Sequence, residues 1–251
     1  LDRKRWSVLS VSTGEDEFTR GDDKASLATC KDGYSMCDLF TDTEDDEPTI
    51  EQIGDCAYVL PGFALPLVNQ LLPALERIQI VSPFRHMITP GGFKMSVAMT
   101  NCGRFGWITD RRGYRYSRVD PETCQPWPCM PDAFMALAQS AAVEAGYPSF
   151  EPDACLINNY EPGSRLTLHQ DKNERSFDHP IVSVSLGIPA TFLFGGKDRS
   201  DPVKKIRLSH GDVVVWGGED RLRYHGISQL KEATHPILGP KRINFTFRKA
   251  E

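Results

Sequence analysis

Two short stretches of this chain pair a histidine with an aspartate two residues on. In "LTLHQDKNE" they are His169 and Asp171; in "SHGDVVVW" they are His210 and Asp212. Residues i and i+2 of a strand point to the same side, so His169 and Asp171 can turn toward one metal ion. A third ligand must come from elsewhere, and His225 in "RYHG" supplies it at the end of another strand. Two histidines and one carboxylate form the facial triad that holds non-haem Fe(II) and leaves positions open. His210-Gly211-Asp212 reads differently: a Gly-Asp turn just before a buried valine run makes a bend, from which the two side chains need not converge. Taken alone, either pair is equally a solvated histidine beside a surface carboxylate.

A second constellation lies near the end of the chain, in "RINFTFR". Alternation along a strand puts Arg242, Asn244, Thr246 and Arg248 on one face and Ile243, Phe245 and Phe247 on the other, packed face. Two guanidiniums with an amide and a hydroxyl between them make an anion site, since the arginine fork matches carboxylate geometry. An edge strand with a solvated polar face is the alternative. A third stretch, "RFGWITDRRGYRYSR", interleaves Phe105, Trp107, Tyr114 and Tyr116 with Arg104, Arg111, Arg112, Arg115 and Arg118. Such a segment can meet phosphates with its arginines while its aromatics stack on bases; it is equally a surface hairpin with cross-strand aromatic pairs.

The elements that must hold these groups are short strands. After Tyr147 the chain reads as "CLINNY", "RLTLHQ", "IVSVSLG", "ATFLFGG", "KKIRLS", "DVVVWGG", "LRYHGI" and "RINFTFR", separated by turns. That spacing predicts a mainly β fold, an antiparallel sandwich or barrel. Ahead of it, "AYVLPGF" reads as a strand. Leu67, Val68, Leu71, Leu72 and Leu75 have helical spacing, with Pro73 as a kink. "PDAFMALAQSAAVEAG" is a second helix, with Pro131 in its first turn and Gly146 as its C-terminal cap. Both helices should pack on an outer face of the sheets.

The bulk numbers set the bounds. The chain has 251 residues, enough for one domain with a small appendage, and is 40% hydrophobic, 25% charged and 10% aromatic, as in a soluble globular protein. No apolar run approaches the roughly 18 to 20 residues of a membrane span, and "LDRKRWSVLS" lacks the marks of a secretory signal. The seven cysteines are scattered, with no C-x-x-C, and read as reduced thiols of a cytoplasmic protein. The net charge of −5 is uneven: residues 1–56 carry 6 Lys/Arg against 15 Asp/Glu, a net of −9, and the remainder is net +4. Residues 1–48, acidic and poor in large apolar side chains, are expected to be a disordered tail, with the functional domain at 49–251. His86, His179 and His235 read as loop or surface residues and Trp216 as core. Met95 and Met99 share a strand face, as pocket lining or as packing.

Taken in order, "SPFRHMITPGGFKMSVAMTNCG", "DACLINNY", "LTLHQDKNE", "PIVSVSLGIPATFLFGG", "HGDVVVWGG", "YHGI" and "RINFTFR" closely resemble the bacterial AlkB alkylation-repair dioxygenases, from about residue 50 to the end. The resemblance implies a double-stranded β-helix, or jelly roll, with flanking N-terminal helices. It implies Fe(II) on His169, Asp171 and His225, and 2-oxoglutarate held by Arg242, Asn244, Arg248, Asn158 and Tyr160. With O2, the cosubstrate would be decarboxylated to succinate and CO2, and an N-methyl group hydroxylated and released as formaldehyde. The implied substrate is 1-methyladenine or 3-methylcytosine in single- or double-stranded DNA, or in RNA, acted on by a monomer without a membrane. Trp107 would stack on the base opposite His169, and Tyr114, Tyr116, Asn173 and Arg199 match further substrate contacts. Asn173 departs from the pattern, which has Asp there.

Three other readings fit part of the pattern. A hydroxylase of a protein or small molecule would keep the cofactors but have no use for the aromatic-basic segment. A non-catalytic nucleic-acid-binding module predicts a missing ligand or arginine, and none is missing. A zinc hydrolase could use the same three ligands but not the arginine pair.

Overall fold

The strand-forming runs and helical stripes of the sequence become the elements of a computed structural model that describes residues 49–251. In chain order these are β1 (Glu51–Gly54), β2 (Ala57–Leu60), α1 (Val68–Val81), β3 (Ala98–Gly103), β4 (Gly106–Asp110), β5 (Gly113–Ser117) and α2 (Asp132–Glu144). Then follow β6 (Ala154–Tyr160), β7 (Leu166–His169), β8 (Ile181–Gly187), β9 (Ala190–Phe194), β10 (Lys204–Leu208), β11 (Val213–Trp216), β12 (His225–Ile227) and β13 (Arg242–Arg248). The expected acidic tail, residues 1–48, lies outside the described residues.

A seven-stranded antiparallel sheet runs β1-β2-β11-β8-β13-β6-β3, a four-stranded one β10-β9-β12-β7, and β4 and β5 form a separate hairpin. The large sheet has two buried faces, and the sequence shows why. On β8, Val182, Val184 and Leu186 point into one apolar cluster with Leu71, Leu75 and Ile78 of α1 and Phe134 and Leu137 of α2. Ile181 points the other way, into a second cluster with Phe192, Phe194, Trp216 and Ile227. One face is thus covered by helices and the other by the small sheet, which gives the jelly-roll architecture.

β13 is no edge strand. It sits between β8 and β6, and all seven of its residues are buried. Ile243, Phe245 and Phe247 meet the helices; Arg242, Asn244, Thr246 and Arg248 face the space between the sheets. Helix α2 ends as its sequence predicts. Gly146 takes the left-handed φ of +87°; its N–H donates to the Val143 carbonyl and that of Tyr147 to the Ala142 carbonyl, closing the helix end. Pro131 stands at the helix's N-terminal boundary, and Pro73 lies within α1. Among the described residues no helix is long and apolar enough to cross a membrane.

Candidate metal centre and dicarboxylate site

Between the sheets lies a cavity of about 390 Å³ that reaches both constellations. β7 ends on His169 and β12 begins on His225, and their antiparallel register sets the two histidines opposite each other. Asp171 follows two residues after His169. The imidazole centroids are 4.4 Å apart. His169 Nε2 is 3.7 Å from Asp171 Oδ1, and His225 Nε2 is 3.7 Å from Oδ2. One ligand atom from each residue lies within 4.8 Å of the others, and no second such group of three occurs among the described residues.

The histidines are already oriented. His169 donates its Nδ1–H to the Thr167 carbonyl at 2.9 Å and His225 its own to the Arg223 carbonyl at 3.0 Å, which turns both Nε2 lone pairs to the site. Burial and the neighbouring His225 hold His169 down at about 4, so its imidazole is neutral at pH 7. Burial alone would favour the acid form of Asp171, but Arg248 and the two histidines outweigh it and hold the carboxyl well below its usual range. The close pairing of β12 with β7 depends on Gly226: a Cβ there would come within 2.6 Å of the Leu166 carbonyl oxygen.

The second wall is the polar face of β13 with its neighbours. Register sets Arg242 against Tyr160 and Asn244 against Asn158 on β6, and Arg242 against Gly187 and Asn244 against Ser185 on β8. Asn244 is fixed by four contacts: its amide donates to Ser183 Oγ at 2.9 Å and the Val184 carbonyl at 2.8 Å, and its oxygen accepts from Asn158 at 3.2 Å and Thr246 at 3.0 Å. Arg248 grips Asp171 Oδ2 with Nε at 2.8 Å and Nη2 at 2.5 Å. Arg242 is different. It is 1% exposed, with its guanidinium 5.0 Å from the centre of the Tyr160 ring. Nη2 donates to Ser185 Oγ at 2.9 Å, while Nε and Nη1 make no hydrogen bond. A buried cation with two unmet donors and no carboxylate beside it is an anion site in want of an anion.

At the mouth, Trp107 and Tyr114 stack, 5.6 Å between centroids at 20°. Trp107 Nε1 donates to Asn173 Oδ1 at 3.2 Å, and Arg199 completes this rim with its guanidinium 6.0 Å from the Tyr224 ring. Tyr116 stands apart from the other expected substrate contacts. It does not line the cavity; its hydroxyl donates to Glu174 Oε1 at 2.6 Å. The hairpin's arginines are less available than the sequence suggests: Arg115 and Arg112 pair with Asp110 at 2.7 and 3.1 Å, and Arg118 with Glu251 at 3.2 Å. Arg104, Arg111 and Arg199 have no ion pair among the described residues. Met95, Met99 and Trp216 all line the cavity, so the expected core tryptophan is both core and wall.

His210 and Asp212 hold a turn. Asp212 accepts the N–H of Gly62 at 2.9 Å and of Ser209 at 2.6 Å, while His210 Nδ1 accepts that of Gly187 at 2.9 Å. Sequence reasoning missed three supporting residues. Buried Asn101 clamps the Trp107 backbone, accepting its N–H at 3.0 Å and donating to its carbonyl at 3.1 Å. An amide amid apolar neighbours was the available signal. Glu174 and Arg221 are buried charges behind the site, and only their distant partners distinguish them from surface residues.

The model of the 2OG-Fe(II) oxygenase superfamily matches residues 57–248. The chain is 56% identical over 215 residues, 86% of its own length and 98% of the relative's, to the alpha-ketoglutarate-dependent dioxygenase AlkB of Escherichia coli. It is 28% identical to the DNA N(6)-methyladenine demethylase ALKBH1D of Arabidopsis thaliana, over 85% of this chain and 55% of that protein. Among solved structures, that of OsALKBH1 superposes with a TM-score of 0.71 at 29% identity, covering 80% of this chain and all of the other.

Proposed function

The chain belongs to the AlkB family of the 2OG-Fe(II) oxygenase superfamily, and from that premise we propose how its residues carry out the oxidative demethylation of alkylated nucleic-acid bases. When bound, Fe(II) with 2-oxoglutarate and O2 supplies an oxidant strong enough to hydroxylate an N-methyl group. Succinate and CO2 are the co-products, and formaldehyde leaves the restored base.

His169, Asp171 and His225 would hold the iron; their pre-set Nε2 lone pairs and ionised carboxylate suit Fe(II). Arg242 would receive a carboxylate of 2-oxoglutarate. This is the observation that carries the reading, because a buried guanidinium with unmet donors and no carboxylate beside it calls for an anion. Arg248 keeps Asp171 ionised and turned to the metal, and adds positive charge beside the cosubstrate. Asn158, Tyr160 and Asn244 complete the cradle. Trp107 holds the extruded base against His169, with Tyr114, Asn173 and Arg199 at the rim; extrusion from the stack is required of any enzyme that acts on a base in a duplex. Tyr116, opposite Trp107 on the hairpin, serves the base by holding the hairpin to Glu174. The lesions proposed are 1-methyladenine and 3-methylcytosine, in DNA and RNA. The proposal includes a cytoplasmic monomer, in keeping with five free cysteines among the described residues.

The test is anaerobic loading with Fe(II) and 2-oxoglutarate, then air, over an oligonucleotide with one 3-methylcytosine. Formaldehyde and succinate should appear in equal amounts, and His169→Ala should make neither. Succinate without formaldehyde from the unaltered enzyme would overturn the reading and point to a different substrate.

A further inference from the structure

Glu174 is buried, its side chain 1% exposed, and it does not line the cavity. Its carboxylate nonetheless meets three functional elements. Oε1 accepts the Tyr116 hydroxyl from β5 at 2.6 Å and lies 3.5 Å from Arg248 Nε on β13. Oε2 faces Arg221 Nη2 at 3.3 Å. Both of these arginines hold Asp171: Arg248 its carboxylate, and Arg221 its backbone carbonyl, through Nη1 at 2.9 Å. Arg221 also donates Nε–H to the His179 carbonyl at 3.1 Å, pinning the far end of the loop that carries Asp171 and Asn173.

We propose that Glu174 is a positioning residue that couples the base-holding hairpin to the metal and cosubstrate site. The chain of contacts is Tyr116, Glu174, then Arg248 and Arg221, then Asp171. The proposal rests on the functional reading above. Trp107 and Tyr116 face each other across the hairpin, so a base that presses on Trp107 shifts the strand pair that carries the Tyr116 hydroxyl. At the other end, a ligand that draws on Arg248 or Asp171 changes the charge facing Glu174. The carboxylate faces both guanidiniums but is hydrogen-bonded through Tyr116, so moving the hairpin moves the charge that both arginines feel in a poorly polarisable interior. Hairpin and cosubstrate site thus share one link, and occupancy of either site pre-orders the other. By linkage the effect is reciprocal.

The measurement is the affinity for a fluorescent single-stranded oligonucleotide with one 3-methylcytosine, under anaerobic Fe(II), with and without 2-oxoglutarate. The ratio of the two Kd values is the coupling. The unaltered protein should show tightening of about 5-fold or more, and 2-oxoglutarate should bind tighter by the same factor when the oligonucleotide is present. Tyr116→Phe removes only the hydroxyl and keeps the ring's packing; its ratio should fall to within about 2-fold of one. Glu174→Gln should lose the coupling as well, but it strips a charge from two buried arginines and is the variant at risk of misfolding, so Tyr116→Phe decides. A role confined to stability would lower the melting temperature and leave the ratio unchanged, which would overturn the link. A ratio of one in the unaltered protein would also overturn it. Failure of the unaltered protein to bind the methylated oligonucleotide at all would overturn the functional reading, and this inference with it.

Discussion

The guanidinium of Arg242 is kept dry for a ligand rather than for the fold. Burying a cation without a counter-charge works against folding, and replacing buried charges by apolar groups of similar size is often neutral or stabilising. Arg242→Met should therefore leave the ligand-free protein as stable as before, or more stable by about 1–3 kcal/mol in urea unfolding. It should also raise the KM for 2-oxoglutarate by about 30-fold, the scale of losing hydrogen bonds to a charged group. A fall in stability of the ligand-free variant would show that Arg242 has a structural partner after all. Arg242 was legible in the sequence because alternation fixes which residues share a face. Its lack of partners was not, since that depends on β8 presenting Ser183 and Ser185, small hydroxyl side chains, where acids could have stood. Glu174 was illegible for the converse reason: its partners lie on strands far away in the chain, and no local pattern separates a buried glutamate from an exposed one in "DKNE".

At the level of elements, the metal trio depends on how closely two short strands approach. β12 has only three residues, His225–Ile227, against the longer run that its sequence suggested. The reason lies in the backbone: the Tyr224 N–H and carbonyl are taken by Gly196 and Gly195, and the Arg223 N–H by the Asp220 carbonyl, so neither residue can join the ladder to β7. Where the ladder does form, Gly226 sets the spacing. Gly226→Ala should push β12 off β7, lower stability by about 1–3 kcal/mol, and weaken metal binding at least as much as it affects oligonucleotide binding. Titration with Mn(II) as a stand-in, beside thermal unfolding, would measure both; unchanged metal affinity would refute the spacing argument. One strand, β1, escaped the sequence reading, and β3 was read only through Met95 and Met99, of which Met99 lies in it. β1, "EQIG", is too short to alternate. β3, "AMTNCG", carries polar Thr100 and Asn101 at its centre, so it does not alternate. It is a strand because both are satisfied while buried, Thr100 by Ser82 and Asn101 by Trp107.

Over the whole molecule, charge decides how the enzyme meets its polymer. The sequence suggested a strongly basic hairpin, but Asp110 and Glu251 pair with three of its arginines. If Arg104, Arg111 and Arg199 carry the phosphate contacts, the plot of log K against log salt for a single strand should have a slope of about −2, and a slope of about −3.5 would mean that Asp110 releases its two arginines on binding. Fold and site were legible to different depths for a common reason: periodicity reports which face a residue takes, whereas pairing between distant strands reports who its neighbours are. One neighbour is not protein. A small metabolite that meets the buried charge stabilises the fold, and at a hundredfold excess over Kd it adds about 2.7 kcal/mol to folding. Copies made in a cell starved of the metabolite would be the first that proteases remove, so the amount of repair machinery would track the fuel available to run it.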